Sequence, residues 1–297
     1  MRAHPAPLLL LLAPLLLANT DIPDPVRAML DAAIAGGNPS DVAIVEKYAR
    51  TAAPDSAAAI SAIADEWRRT REAARLARIR DAGPLQLWTG NAEIGGYLTT
   101  GNTQNIGASG AFDVQRETVR WRHKLRFAVD YQESLGVVSR EHYLAAYEPN
   151  FKFTSRGYVY GAAQYESDRF LGYRDRTSAS LGAGYNAIKR SNVTLDVELG
   201  PAFRRTVYTD ANVESSLAAR GSLDLDVKLS HAVSLSQDAS AYIQRYNSTV
   251  TSATALNAKL IGPLAAKFSY NVQYESMPAL GRVGTDTTSR AALVYSF

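Results

Sequence analysis

From Trp88 to Phe297 the chain alternates apolar and polar side chains, segment after segment, and this period of two governs what it can fold into. Successive side chains of an extended strand point to opposite faces. The clearest segment is 119–131. There Val119, Trp121, Leu125, Phe127, Val129 and Tyr131 alternate with Arg120, Arg122, Lys124, Arg126 and Asp130, and His123 alone breaks the apolar row. Such a strand has one greasy face and one charged face.

The pattern recurs. Val193, Leu195, Val197 and Leu199 alternate with Thr194, Asp196 and Glu198. Leu217, Ala219, Leu223, Leu225 and Val227 alternate with Arg220, Ser222, Asp224, Asp226 and Lys228. Leu264, Ala266, Phe268, Tyr270 and Val272 alternate with Lys267, Ser269, Asn271 and Gln273. The rhythm is weaker in 88–99, 103–116, 142–154, 174–187, 233–246 and 254–261, and ambiguous in 157–168. The count is about twelve strands of roughly 8–14 residues, enough to cross a bilayer at a tilt and longer than the usual strands of soluble sheets. The predicted fold class is all-β: a transmembrane antiparallel barrel with lipid outside and a polar lumen. With both barrel ends in the periplasm, the connections 132–141, 169–173, 205–213, 247–253 and 275–285 become long external loops. The connections 117–118, 155–156, 188–191, 230–232 and 262–263 become short internal turns, and Thr100-Gly101-Asn102 reads as a tight hairpin turn.

The N-terminus is of another kind. A basic start, an apolar run from Leu8 to Leu17 and the small polar Ala18-Asn19-Thr20 form the layout of a secretory signal peptide at 1–18. Residues 21–86 carry helical spacing. Asp24 and Pro25 open a first helix with Val26, Met29, Leu30, Ala33 and Ile34 on one face. Ser40 or Asp41 opens a second, with Val42, Val45 and Tyr48 as its stripe. A third runs over 55–81 around Ile60, Ile63 and Trp67, and its second half is rich in arginine. That half reads either as a solvated face or as a contact for a periplasmic partner or the inner leaflet. Gly83-Pro84 marks the boundary before the barrel at 88–297.

The chain ends with Leu293, Tyr295 and Phe297 on one face and an aromatic last residue, the form of the strand signal by which barrel-assembly machinery recognises outer-membrane proteins. Localisation in a Gram-negative outer membrane follows, with outer-membrane lipid and that machinery as partners. From Trp88 onward the chain resembles an uncharacterised family known as salt-induced outer-membrane proteins. Trp88-Thr89-Gly90-Asn91, Gly95-Gly96-Tyr97-Leu98-Thr99-Thr100-Gly101-Asn102-Thr103, Gly182-Ala183-Gly184-Tyr185 and Tyr295-Ser296-Phe297 carry the likeness. The resemblance implies a barrel and a link to salt exposure, and it brings no catalytic residues.

Composition narrows the chemistry. The chain has no cysteine and four histidines, which removes thiol catalysis and Cys-zinc sites. A net charge of +3 gives no basic excess for nucleic acid. The expectation is no enzyme, no cofactor and no metal. The alternative from another class is an outer-membrane lipid-modifying enzyme. Only His142, with Ser139 and Glu141 near it in sequence, offers a base for one, and adjacent strand residues point to opposite faces. The functional lead is the lumenal charge. Arg120, Arg122, Lys124 and Arg126 form a ladder, with Lys259, Lys267 and Arg290 from the last strands. Asp196, Glu198, Arg220, Asp224, Asp226 and Asp238 come from the middle strands. In a barrel about 24 Å across, these charges either interlock across the lumen or flank a narrow wet path.

Overall fold

The structure is a computed structural model that describes residues 22–99, 105–278 and 283–297. The signal-peptide reading of 1–18 and the Thr100-Gly101-Asn102 turn lie outside the described residues. The chain divides into a helical unit and a barrel unit near residue 78.

In the helical unit, α1 is Asp24–Gly36, α2 is Pro39–Ala52 and α3 is Ala57–Asp81, entered through a 3-10 turn at Pro54–Ser56. Leu30, Ala49, Ala53 and Ile60 form its buried core, ringed by Val26, Ile34, Val45 and Ile63. Two predicted caps are corrected. Asp24 is the first residue of α1 and caps nothing; Pro23 precedes it without a side-chain bond. The α2 cap is Asn38, whose side chain accepts from the Ser40 N–H at 3.0 Å, with Pro39 in the first turn where no donor is needed. Tyr48 is exposed, while Val42 on the same predicted stripe is buried. No described helix is long and apolar enough to cross a membrane.

The barrel has twelve antiparallel strands: β1 Trp88–Thr99, β2 Asn105–Glu117, β3 Trp121–Ser134, β4 Val137–Lys152, β5 Gly157–Asp168, β6 Tyr173–Lys189, β7 Val193–Tyr208, β8 Val213–Lys228, β9 Val233–Gln244, β10 Thr249–Lys259, β11 Leu264–Glu275 and β12 Thr285–Ser296. Each strand pairs with its sequence neighbour, and β1 closes on β12, leaving no free edge. Phe297 extends the closure, its backbone N–H and C=O each bonded to Gly90 at 3.0 Å. Two prolines interrupt ladders as the missing N–H requires: Pro149 lacks a partner on β5 and Pro201 lacks one on β6.

Alternation puts the greasy face outward. Ile94, Phe127, Leu181, Leu199, Leu217, Phe268 and Leu293 are all exposed, an apolar belt that water would not tolerate and lipid does. Trp121 and Phe151 pack edge to face at the end where the barrel begins and closes, here the near end, and His123 stacks beside them against Tyr147. Toward the opposite, far end, Tyr131, Tyr143 and Tyr165 donate their hydroxyls to Glu133, Glu141 and Asp175 at 2.8, 3.1 and 2.8 Å. Amphipathic rings with their polar tips on carboxylates mark a membrane interface. From Trp121 to Tyr131 is ten residues, about 33 Å along the strand and about 25 Å along the barrel axis at the usual tilt, the height of an outer-membrane apolar band.

The loop expectation is corrected. The long loop placed at 132–141 is a two-residue turn, Leu135-Gly136, both with positive φ (51° and 78°), because β3 and β4 run on to meet it. The connections placed at 205–213 and 247–253 shrink to 209–212 and 245–248 for the same reason. Strands β4, β6, β7 and β8 reach 16–17 residues while β9 to β12 have 11–12, so one wall stands taller than the other.

Candidate functional site in the barrel lumen

Inward side chains fill the two halves of the lumen differently. On β3–β8 they are large and charged. On β9–β12 and β1 they are mostly small hydroxyls and amides, among them Ser234, Ser236, Ser240, Thr251, Asn257, Asn271 and Thr288. The open space is a cavity of about 1150 Å³, bordered from the near-end turn residues His231, Gly262 and Pro263 up to His142, Glu166 and Gln273.

In the near half of the barrel the charged wall is cross-braced. Arg122 bonds Asp196 at 2.9 Å, and its guanidinium lies 4.9 Å over the Tyr158 ring. Arg220 reaches Glu198 at 2.9 Å and Glu148 at 3.3 Å, over the Tyr160 ring. Tyr158 and Ser222 also donate to Glu198, at 3.0 and 2.8 Å. Lys124 sits between Glu148 at 3.4 Å and Asp224 at 3.5 Å. Arg126 turns to Asp113 on the next strand at 2.5 Å, and Lys267 holds Glu93 at 2.6 Å.

Nearer the far end lies a buried layer. Arg176 of β6 reaches across to Glu275 of β11, with bonds of 2.7 and 3.4 Å. Glu275 also accepts from Asn247 at 2.7 Å and Thr249 at 3.0 Å. Arg204 bonds Thr249 and Ser178, and stacks on Tyr242 as Arg176 stacks on Tyr173. All of these residues are buried. Beside them the His142 ring has Asp130 at 3.2 Å from one nitrogen and Glu166 at 3.4 Å from the other. Arg290 also reaches Asp130, at 2.8 Å.

The structure therefore places Arg122, Lys124, Arg126, Asp196, Glu198, Arg220, Asp224, Asp226, Asp238, Lys259, Lys267 and Arg290 inside the barrel, Lys259 at its near rim. Arg120 is the correction. It lies exposed in the turn before β3, which begins at Trp121 because the Thr118 hydroxyl and N–H close that turn on the Trp121 backbone. Asp196, Asp224 and Asp238 stand side by side on β7, β8 and β9, since each is the register partner of the next. His123 faces outward and bonds the Tyr147 hydroxyl at 2.9 Å. His142 has a carboxylate at each ring nitrogen, which leaves neither free to activate a nucleophile.

The family model for proteins of unknown function called DUF481 matches residues 92–297, the whole barrel but its first four residues. The chain belongs to that family. Among curated relatives is the uncharacterized protein YdiY of Escherichia coli K12, 27% identical over 218 residues, covering 72% of this chain and 85% of that protein. Among solved structures, the NanC porin (TM-score 0.45, 10% identical) covers 69% of this chain and 98% of its own. An outer-membrane channel from Pseudomonas putida F1 (TM-score 0.45, 8% identical) covers 73% and 97%, and the KdgM porin in complex with oligogalacturonate (TM-score 0.38, 12% identical) covers 70% and 99%. The resemblance to an uncharacterised barrel family is met, and the closed ring of strands with its apolar outer face is that of a membrane-spanning barrel.

Beyond the residues that the sequence pattern turns inward, the lumen holds Glu148, Tyr158, Tyr160, Arg176 and Glu275. Arg176 and Glu275 lie toward strand ends, where the alternation is weak. Glu148 and Arg176 lie within 142–154 and 174–187, where small and aromatic residues on both faces blur the period of two.

Proposed function

We propose that the barrel is a narrow hydrophilic pore, held shut near its far end by side chains of its own wall. The far end faces the cell exterior, and the near end and the helices face the periplasm. The Arg176–Glu275 bridge carries this reading, because it joins strands five places apart across a lumen only about 10 Å wide after side chains are counted. The cavity below it is lined by hydroxyls, amides and charges, a surface suited to water and polar solutes.

Lys124, Arg126, Lys267 and Arg290 all hold carboxylates. Charges with no ion pair among the described residues line the cavity in both signs: Asp226, Asp238 and Asp286, and Lys228, Lys259 and Arg204. The test is planar-bilayer conductance of the refolded barrel. Wild-type protein should show small or rare openings, and the double variant Arg176→Ala/Glu275→Ala should conduct steadily. Removing both partners avoids leaving one buried charge alone. A folded double variant that stays silent would overturn the pore reading.

A further inference from the structure

We infer that the near rim of the β3–β6 wall binds the headgroup of an anionic phospholipid. The site lies on the rim and is independent of what the lumen does. Three exposed arginines stand in successive near-end turns: Arg120 between β2 and β3, Arg156 between β4 and β5, and Arg190 between β6 and β7. None of their side chains makes an ion pair or a hydrogen bond among the described residues. The first two flank the end of β4, where the Arg120 carbonyl accepts from the Lys152 N–H at 2.7 Å. Lys189 joins them, its Nζ donating to the Ser155 carbonyl at 3.3 Å. The acid beside these turns, Glu117, is already held by Lys152 at 2.5 Å. The rim from β3 to β6 is therefore cationic over about three strand spacings, roughly 14 Å.

Its depth decides what it meets. Trp121 begins β3 one residue after Arg120 and packs on Phe151 in the aromatic girdle of this end. Tyr185 is exposed near the same end of β6, and the exposed Phe153 lays its ring over Gly157, where a Cβ would meet it at 2.9 Å. Turns just beyond such a girdle lie at the level of lipid phosphates. A guanidinium fork matches a phosphate in shape and charge. Guanidiniums without counter-charges repel one another, and a phosphate between them removes that cost. A zwitterionic headgroup carries its own ammonium to a rim that is already cationic, so a lipid of net negative charge is favoured.

The arrangement is local. At the far interface of the same wall, Tyr131, Tyr143 and Tyr165 stand on carboxylates, the wrong sign for phosphate. At the near rim elsewhere, Lys228 and Lys259 border the lumen, and Arg116 is turned to the carbonyls of Gln86 and Gly83.

Trp121 is a built-in reporter. The chain has three tryptophans, so Trp67→Phe with Trp88→Phe leaves Trp121 alone beside Arg120. This full-length protein is folded into phosphatidylcholine vesicles containing an equal mole fraction of acyl-brominated phosphatidylglycerol or acyl-brominated phosphatidylcholine. Phosphatidylglycerol should quench Trp121 as though enriched about two- to five-fold at the rim, the scale of one surface charge at an anionic interface. Adding Arg120→Gln with Arg156→Gln should bring the ratio to about one and leave quenching by phosphatidylcholine unchanged. Arg245→Gln, in the far-end turn after β9, should keep the preference. Raising ionic strength from 0.15 to 1 M should shrink it without any rim substitution, as the screening length falls from about 8 to about 3 Å. Heat-modifiable migration reports folding of each variant. Equal quenching by the two lipids, the result expected if an acidic protein were the occupant, would overturn the site. So would a preference that survives in the folded Arg120→Gln/Arg156→Gln variant or in 1 M salt.

Discussion

Tyr158 lies flat against Gly184, its register partner on β6, with the ring in the space a Cβ at 184 would need. Tyr160 stands in the same relation to Gly182. The two glycines are notches that let both rings lie along the wall, the Tyr158 hydroxyl reaching Glu198 and the Tyr160 face meeting Arg220. Gly184→Ala should therefore lower barrel stability by about 1–3 kcal/mol, the usual cost of overpacking a filled site. Gly221→Ala, where the nearest atoms to a new Cβ lie at 3.9 Å, should change it by no more than about 0.5 kcal/mol. Urea midpoints of the folded barrel in bilayers compare the two. A smaller loss at 184 than at 221 would contradict the notch.

The Arg122–Asp196 bridge should behave as a buried pair, since both side chains are largely shielded. Arg122→Glu leaves two carboxylates facing each other and is expected to cost about 3–5 kcal/mol. Restoring opposite signs with Asp196→Arg should recover part of that loss, and a double-mutant cycle over the four proteins isolates the coupling. Additive losses would show that these groups do not meet across the lumen.

Ion preference should follow Asp226 and Asp238. In the conducting Arg176→Ala/Glu275→Ala background, Asp226→Asn with Asp238→Asn should move the reversal potential in a salt gradient toward anion permeation. The difference should shrink as ionic strength rises from 0.15 to 1 M, because the screening length falls from about 8 to about 3 Å. An unchanged reversal potential would take these carboxylates out of the conducting path.

Deleting Phe297 should reduce the heat-modifiable barrel recovered in the outer membrane. The residue donates and accepts one backbone bond each with Gly90, and its ring stacks on Phe112 and Tyr295 at 5.8 and 6.4 Å. Phe297→Ala keeps the backbone pair and should lie between wild type and the deletion. Full insertion of the deletion would separate closure from this residue.

The sequence by itself determined the class of object. A two-residue period such as Leu125, Phe127 and Val129 against Lys124 and Arg126 is a local property of extended backbone, so it fixes which side chains share a face wherever the strand lies. It also gives the number of strands. Arg120 escaped because a strand's first residue depends on the turn before it, here the Thr118 bonds to Trp121. The tertiary structure alone decided who meets whom. Arg126 pairs with Asp113 on the next strand while Arg122 crosses to Asp196 four strands away, and Arg176 finds Glu275, ninety-nine residues along the chain. Period carries no information about register, closure or tilt. Those are set when twelve strands close into one ring, and only then does a lumenal side chain acquire a neighbour across the lumen.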